Sequence, residues 1–359
     1  MSGVALLDTE EIDLLTRIIA APGIPGREGP IRDLIETHIR AQGQFDEVRV
    51  DSLGSLIAVR KPRGTCIKDR PLRVLVAAHL DRIGFLVSHI SEGGFLRLHP
   101  VGSFDPRTLF ACQVVAVTRA GKSFPGVLNP DGRPHHTAPA DELAKVPPLE
   151  SFYVDLGLSE DKVRAEISLG DMVLFDGPLR WIGDALSAPG LDDRLGCWAL
   201  LSAIERLDAH GCEIHAMWSV QEEVGSRGAQ AASFGIEADI GIACDTNVCC
   251  DLPGTAPEHH IMRAGAGIGL QIADSSTISD IGLVEDIEAV AAWHGIACQR
   301  TLMLGGGQDG ARIQLSRAGV RTLVLSCPVR YLHTDAEMAQ VADIVAYRDL
   351  LQRYLEQLG

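Results

Sequence analysis

Basic residues are scarce in this sequence: 32 lysines and arginines stand against 48 aspartates and glutamates, a formal charge of −16 over 359 residues. No run of four or more basic residues relieves the deficit. A general nucleic-acid binder, or a protein that docks on an anionic membrane, needs the opposite balance, so neither class is expected. Long apolar runs are missing too. None approaches the roughly 18 residues of a membrane-spanning helix, and the opening Met1-Ser-Gly-Val-Ala-Leu-Leu-Asp-Thr-Glu-Glu11 lacks the basic segment of a secretory leader and turns acidic early. The expected location is the cytoplasm. Paired cysteines are absent: none of the nine forms a Cys-x-x-Cys pair, and several sit inside apolar runs. They read as reduced core residues rather than a disulfide framework or a thiolate zinc site, the adjacent Cys249 and Cys250 included. There is no internal repeat and no low-complexity tract.

What is present divides into three stretches. Asp8-Thr-Glu-Glu11, followed by Ile12, Leu14, Leu15, Ile18 and Ile19, predicts an amphipathic helix with a capping box, and Ile31, Leu34, Ile35 and Ile39 predict a second one. A hairpin around Leu53-Gly54 and an apolar strand at Val74–Ala78 complete the first stretch, residues 1–80. From 81 to 181 short apolar alternations such as Phe95-Leu-Arg-Leu and Met172-Val-Leu-Phe are separated by Gly, Pro and Asp turns, with no long amphipathic helix among them. This predicts a β-rich domain inserted into an α/β one. Helical periodicity returns at Arg194–Ala209, alternates with strands at Glu213–Val220 and Ile240–Cys244, and recurs at Ala229–Phe234, Asp280–His294, Gly310–Ala318 and Ala336–Tyr354, all in the third stretch, residues 182–359.

The chemistry-bearing residues gather where the predicted strands end. Ile-His-Ala-Met-Trp218 runs into Glu222-Glu223, two like charges that are costly together unless a cation or a reaction needs both. His79 and Asp81 close Val74–Ala78, Asp245 follows Ile240–Cys244, His333 follows Thr322–Cys327, and Asp192-Asp193 come after Pro189-Gly190. Open α/β sheets place their chemistry at such ends. Imidazole nitrogen and carboxylate oxygen are ordinary ligands for zinc or a similar divalent ion, and four carboxylates with two histidines suffice for a two-ion centre. Being two apart on a strand, His79 and Asp81 share a face, which lets Asp81 receive the second ring proton of His79. Each group has a plainer reading as well: Asp192-Asp193 as a helix cap, Glu222-Glu223 as solvated charge, Asp245 and His333 as the polar ends of strands.

Taken in order, the segments Gly23-Ile-Pro-Gly-Arg-Glu28, Asp51-Ser-Leu-Gly54, Ala78-His-Leu-Asp-Arg-Ile-Gly-Phe85, Gly190-Leu-Asp-Asp-Arg-Leu-Gly-Cys197, Val220-Gln-Glu-Glu-Val-Gly-Ser-Arg-Gly-Ala229 and Pro328-Val-Arg-Tyr-Leu-His-Thr334 span nearly the whole chain. They resemble the dinuclear metallo-aminopeptidases of the tetrahedral and glutamyl aminopeptidase family. The resemblance implies a zinc-peptidase-like α/β/α sandwich with an inserted β-barrel-like, PDZ-like domain that helps to build dimers and dodecamers. It also implies that His79 and Asp245 ligate one divalent ion, Glu223 and His333 the other, and Asp192 bridges the two, zinc or cobalt being the expected metals. Glu222 becomes the general base, Asp81 orients His79, and the Asp192-Asp193 peptide is cis. The implied substrates are peptides with a free N-terminus, whose first peptide bond is hydrolysed by a water activated between the two ions.

Three places depart from the family pattern. Gln308, in Gly306-Gly-Gln-Asp309, occupies a position usually held by threonine; Arg82 replaces a residue that is often acidic or apolar, and is expected either in a surface ion pair or near the substrate; and Asn247–Met262 fits poorly. The same centre suits a dinuclear deacylase or carboxypeptidase, and a peptide-binding particle that kept the scaffold is a third reading, against which the intact Glu222 weighs.

Overall fold

A computed structural model describes residues 7–66 and 70–358; the start of the chain, read above as unlike a secretory leader, lies outside them at 1–6. The sandwich is organised by alternation along its central strands. In Arg73–His79, the side chains of Val74, Val76 and Ala78 face one layer of helices while Leu75 and Ala77 face the other. A strand buried on both sides reads as a continuous apolar run, as this one does.

Eight strands form the main sheet, in the order Glu47–Val50, Leu56–Arg60, Glu213–Ser219, Arg73–His79, Ile240–Val248, Arg321–Val329, Ile268–Ala273 and Cys298–Leu302. The four in the middle are parallel, with Ser219 opposite His79 and Asp245 opposite Ser326. Helices Thr9–Ala20, Gly29–Gln42, Leu191–Glu205, Ile281–His294 and Val341–Gln357 cover one face; Arg227–Ile236 and Asp309–Gln314 cover the other. The predicted capping box is in place: the Glu11 N–H donates to the Asp8 carboxylate at 2.8 Å, and the Asp8 N–H to that of Glu11 at 3.1 Å.

Between Gly84 and Phe175 six strands close into a barrel, in the order Gly84–Ile90, Leu96–Val101, Phe152–Asp155, Ser123–Pro130, Cys112–Val117 and Met172–Phe175. Phe85, Leu96, Val114, Leu128, Val154 and Val173 fill it. Its helices, Ala140–Leu143 and Glu160–Glu166, are short. Arg180–Ile182, which straddles the boundary drawn above at 181, pairs with Ala185–Ala188, which pairs in turn with Glu337–Gln340.

Several predicted boundaries are corrected. The helix expected to run to Ala209 ends at Glu205, because Arg60 from the neighbouring strand donates to the carbonyls of Ile204 and Leu207 and so terminates it. The helix expected from Ala336 begins only at Val341: Glu337–Gln340 has helical propensity but is drawn into the small sheet by Ala185–Ala188. The helix expected over Gly310–Ala318 is the shorter Asp309–Gln314, closed by a turn in which the Val320 N–H reaches the Gln314 carbonyl. Ile268–Ala273 and Cys298–Leu302 are strands not assigned above, although Ile268, Leu270 and Ile272 alternate along the first. Among the described residues no helix is long and apolar enough to cross a membrane.

Asp280 shows how one side chain can join two of these layers. Its Oδ1 accepts the Leu283 N–H at 3.1 Å, capping Ile281–His294, and its carboxylate takes both arms of Arg321 at 2.9 Å. The Arg321 hydrogen bond is the main reason that its pKa falls from 3.8 to about 2. Asp280→Ala is expected to lower unfolding stability by about 1 kcal/mol, mostly through the lost cap, because the half-exposed ion pair adds little. A depressed carboxyl pKa stabilises fully above the ordinary value of 3.8, so this difference from the wild type should hold near neutrality and shrink as the pH falls toward about 2 in denaturant titrations.

Candidate metal centre and active site

Sheet register brings the separate strand ends together. The parallel pairing of Glu213–Ser219, Arg73–His79 and Ile240–Val248 sets His79 between the turn that carries Glu222-Glu223 and the strand that carries Asp245. Asp192 enters from the start of Leu191–Glu205, and His333 from the loop after Arg321–Val329. A cavity of about 690 Å³ is lined by His79, Asp192, Glu222, Glu223, Asp245 and His333. Every predicted ligand and the predicted base thus line one cavity.

At its centre Asp192 stands between two imidazoles. His79 Nε2 lies 3.2 Å from Asp192 Oδ1, and His333 Nε2 lies 3.2 Å from Asp192 Oδ2. His79 Nε2 is also 3.6 Å from Asp245, and His333 Nε2 is 3.5 Å from Glu223. Two groups spaced to hold an ion result, His79–Asp192–Asp245 and Asp192–Glu223–His333, with one carboxylate in common. Both rings are oriented by backbone: Nδ1 of His79 bonds the Asp81 carbonyl at 2.9 Å and Nδ1 of His333 the Ser103 carbonyl at 3.1 Å, which leaves each Nε2 for a ligand role.

The fit to divalent cations rests on more than spacing. Asp192 Oδ1 and Glu223 Oε1 are buried without a hydrogen-bond partner among the described residues, and the donors are all nitrogen and oxygen. Without cations the carboxylates cannot share the space comfortably. Burial, with Asp192 close by, pushes Asp245 up to about 6, and burial likewise pushes Glu223 up to about 8. Burial raises Asp192 too, but the imidazoles of His333 and His79 beside it outweigh that and hold the carboxyl well down. Burial works against a charge on His79, yet Asp192 and Asp245 raise its pKa well above the ordinary imidazole value.

Local backbone explains how Glu222 and Glu223 reach the site. Beyond Ser219 the chain turns through left-handed Gln221 and Ser226 before Arg227–Ile236 begins. The turn lies so tightly against the strand that a Cβ on Gly228 would sit 2.4 Å from the Val220 carbonyl oxygen, so only glycine fits. Glu222 Oε1 accepts from Ser226 Oγ at 2.9 Å. Burial, together with Asp245, Asp309 and Glu223, raises its pKa well above that of a free glutamate, against the opposing pull of His79.

Asp81 does its work differently from the expected pairing of carboxylate and imidazole. Its carbonyl holds His79, while its fully buried carboxylate, 3.8 Å from the ring, accepts the N–H groups of Glu222 and Glu223, each at 3.0 Å. The Asp192-Asp193 pair also divides its labour. Asp193 is the cap of the plainer reading, accepting from Gly196 N at 2.9 Å and from His79 N at 3.2 Å, whereas Asp192 faces the site across a cis peptide.

Sequence reasoning misses Glu28, which accepts the Gln221 N–H at 3.0 Å; Asp309, which takes the Ser219 hydroxyl; and Glu337. Gly-x-x-Gly-Arg-Glu28 and Gly-Gln-Asp309 are both visible as segments, but nothing in their spacing says that they back the site from behind. Gln308 lines the cavity and donates to Asp274 at 3.2 Å. Arg82 is neither on the surface nor on the wall of this cavity; it is buried, with a hydrogen bond to the Pro189 carbonyl at 3.2 Å. The ill-fitting segment after Asn247 is tied down by Asp251 and Arg330, in a two-armed ion pair.

Paired His and carboxylate clusters around a shared aspartate, at the strand ends of an α/β/α sheet, define a metallohydrolase of the peptidase class. Comparison with known proteins narrows this. The family model for M42 glutamyl aminopeptidases matches residues 54–350. A putative aminopeptidase of Acetivibrio thermocellus is 32% identical over 340 residues, covering 94% of this chain and 96% of its own. Among solved structures, an aminopeptidase from the archaeon Desulfurococcus kamchatkensis is 31% identical with a TM-score of 0.90, covering 97% and 95%. The TET1 peptidase of Pyrococcus horikoshii, which can assemble into a tetrahedron or a large octahedral shell, is 30% identical with a TM-score of 0.83, covering 97% and 100%. The chain belongs to the M42 glutamyl aminopeptidase family and is an aminopeptidase.

If the Asp81 carboxylate aligns Glu222 and Glu223 through their N–H groups, Asp81→Asn should reduce kcat/KM about 10–100-fold. The lost acceptor should cost about 1–3 kcal/mol of unfolding stability. Steady-state kinetics beside a denaturant titration measure both, and unchanged turnover would refute the role.

Proposed function

We propose that this aminopeptidase releases single N-terminal residues from peptides. Two divalent cations, zinc or cobalt, would be held by His79–Asp192–Asp245 and by Asp192–Glu223–His333. The observation that carries this reading is the position of Asp192, with one oxygen toward each histidine, on the wall of a cavity that Glu222 also lines. Such ions polarise a scissile carbonyl and ease deprotonation of water.

Glu222 serves as general base: its carboxylate takes the proton of the attacking water and then gives it to the departing amine nitrogen. Ser226 bonds one of its oxygens, and Asp81 fixes its backbone. The acidic wall of Glu222, Glu223 and Asp245 favours a free ammonium group over an acylated one, which accounts for cleavage from the end of the chain. Among the described lining residues Arg312 is the only lysine or arginine, and a 3.4 Å hydrogen bond ties it to the Gly225 carbonyl. An acidic first side chain is therefore favoured.

The barrel, within the inserted segment 81–181, serves assembly in this reading: a homo-oligomer of dimers building up to a dodecamer, in keeping with the shell of the Pyrococcus horikoshii relative. Exposed Phe110, Val146 and Leu169 leave apolar surface on this segment for such contacts. All nine cysteines are free thiols, which suits the cytoplasm.

Sequential release from free-amino peptides but not from N-acetylated ones, followed by mass spectrometry, is the expected result. Glu222→Gln, with its metals counted, should keep both ions and lose release. Release from acetylated peptides or from C-termini would favour the deacylase or carboxypeptidase reading. In the same assay Arg312→Glu should lower release of N-terminal glutamate about tenfold or more, equivalent to about 1.4 kcal/mol, and raise that of lysine.

A further inference from the structure

Glu337 is almost completely buried, at 2% exposure, and opens the strand Glu337–Gln340. Ala188 lies opposite it in the register with Ala185–Ala188, so its side chain stands beside the turn that leads into Asp192 as well as beside the His333 loop. One oxygen accepts the Asp192 N–H at 3.1 Å, and the other accepts the His333 N–H at 2.8 Å. A single carboxylate thus ties together the backbones of two candidate ligands from segments remote in sequence.

His333 needs such a tie. Its φ is +61°, and that of Tyr331 is +60°, a left-handed conformation that costs a non-glycine residue about 1–3 kcal/mol unless its surroundings over-determine it. Behind Glu337 lies a small cavity that it lines with Arg82, Asp192, Glu223 and Thr334. Arg82 is buried there, and its Nε has no hydrogen-bond partner among the described residues. It feels the charge of Glu337, as it does that of Asp176, without a direct ion pair to either among the described residues.

Resting on the two-ion reading of the site, we propose that Glu337 is a positioning residue that builds the Asp192–Glu223–His333 half-site before an ion arrives, with Arg82 as its counter-charge. Because His333 belongs to that half-site alone, loss of the anchor acts unequally on the two ions. A glutamine at 337 keeps the size of the side chain but turns an amide NH₂ toward one of the two backbone N–H groups.

Calorimetric titration of chelator-stripped full-length protein with zinc tests this. Wild type should bind two ions per chain; Glu337→Gln should weaken both through Asp192, the ion at His333 about 10–100-fold and the other clearly less. Unchanged affinity for both ions, or equal weakening of both, overturns the proposal. Fewer than two ions on wild type overturns both the proposal and the reading beneath it, so the two failures are told apart. Hydrogen exchange on metal-free wild type, resolved to single amides by mass spectrometry, needs no variant. The Asp192 and His333 amides should exchange slowly without metal, and exchange at the rate of open loops overturns the proposal.

Discussion

Asp192 is where the molecule brings its charges into balance. One carboxylate, buried at the start of a helix, faces an imidazole on either side at 3.2 Å, and each imidazole faces a further carboxylate. Removing one of these ions from water is costly, and a row of carboxylates is costlier still unless positive charge is shared among them. The direction of every titration shift in the cluster follows from that shortage. Asp245, Glu223 and Glu222 are pushed up by burial, while both histidines are drawn toward the charged form. In the proposed reading, divalent cations at the two clusters would supply the missing charge.

The fold serves this cluster by making its surroundings stiff. Four parallel strands, apolar on both faces, hold their ends at fixed spacing, and the side chains that follow those ends inherit that precision. Behind the candidate ligands a second set of carboxylates acts on backbone. Glu28 holds Gln221, Asp81 holds Glu222 and Glu223, Asp193 holds His79, and Glu337 holds Asp192 and His333. A buried acceptor that binds main-chain N–H groups fixes a turn more firmly than side-chain packing can, because the geometry of each bond is narrow. The barrel contributes as well, through the Ser103 carbonyl that sets the His333 ring.

Much of this is legible in the sequence, and the reasons are local. The run Val74–Ala78 announces a buried strand, Asp8 and Glu11 announce a helix start, and the polar residues that close the apolar runs mark the site. Legibility stops where a partner distant in the chain decides. Glu337–Gln340 reads as helix until Ala185–Ala188 takes it as a strand, and Arg194–Ala209 reads as one helix until Arg60 ends it early. Arg82 reads as a surface charge or a substrate contact, since nothing in its neighbours tells of burial.

By itself the sequence determined which residues are candidates for chemistry and that most of them follow apolar strands, since apolar periodicity and the charges that interrupt it are properties of neighbouring residues. Tertiary structure alone decided the division of labour among them. It set Asp192 between two imidazoles and made Asp193 a cap, gave the carbonyl of Asp81 to His79 and its carboxylate to two backbone N–H groups, and set Glu337 against two remote loops. The reason is physical: a hydrogen bond or ion pair depends on distance and direction in space, and those are settled only when sheet register and helix packing have brought the segments together.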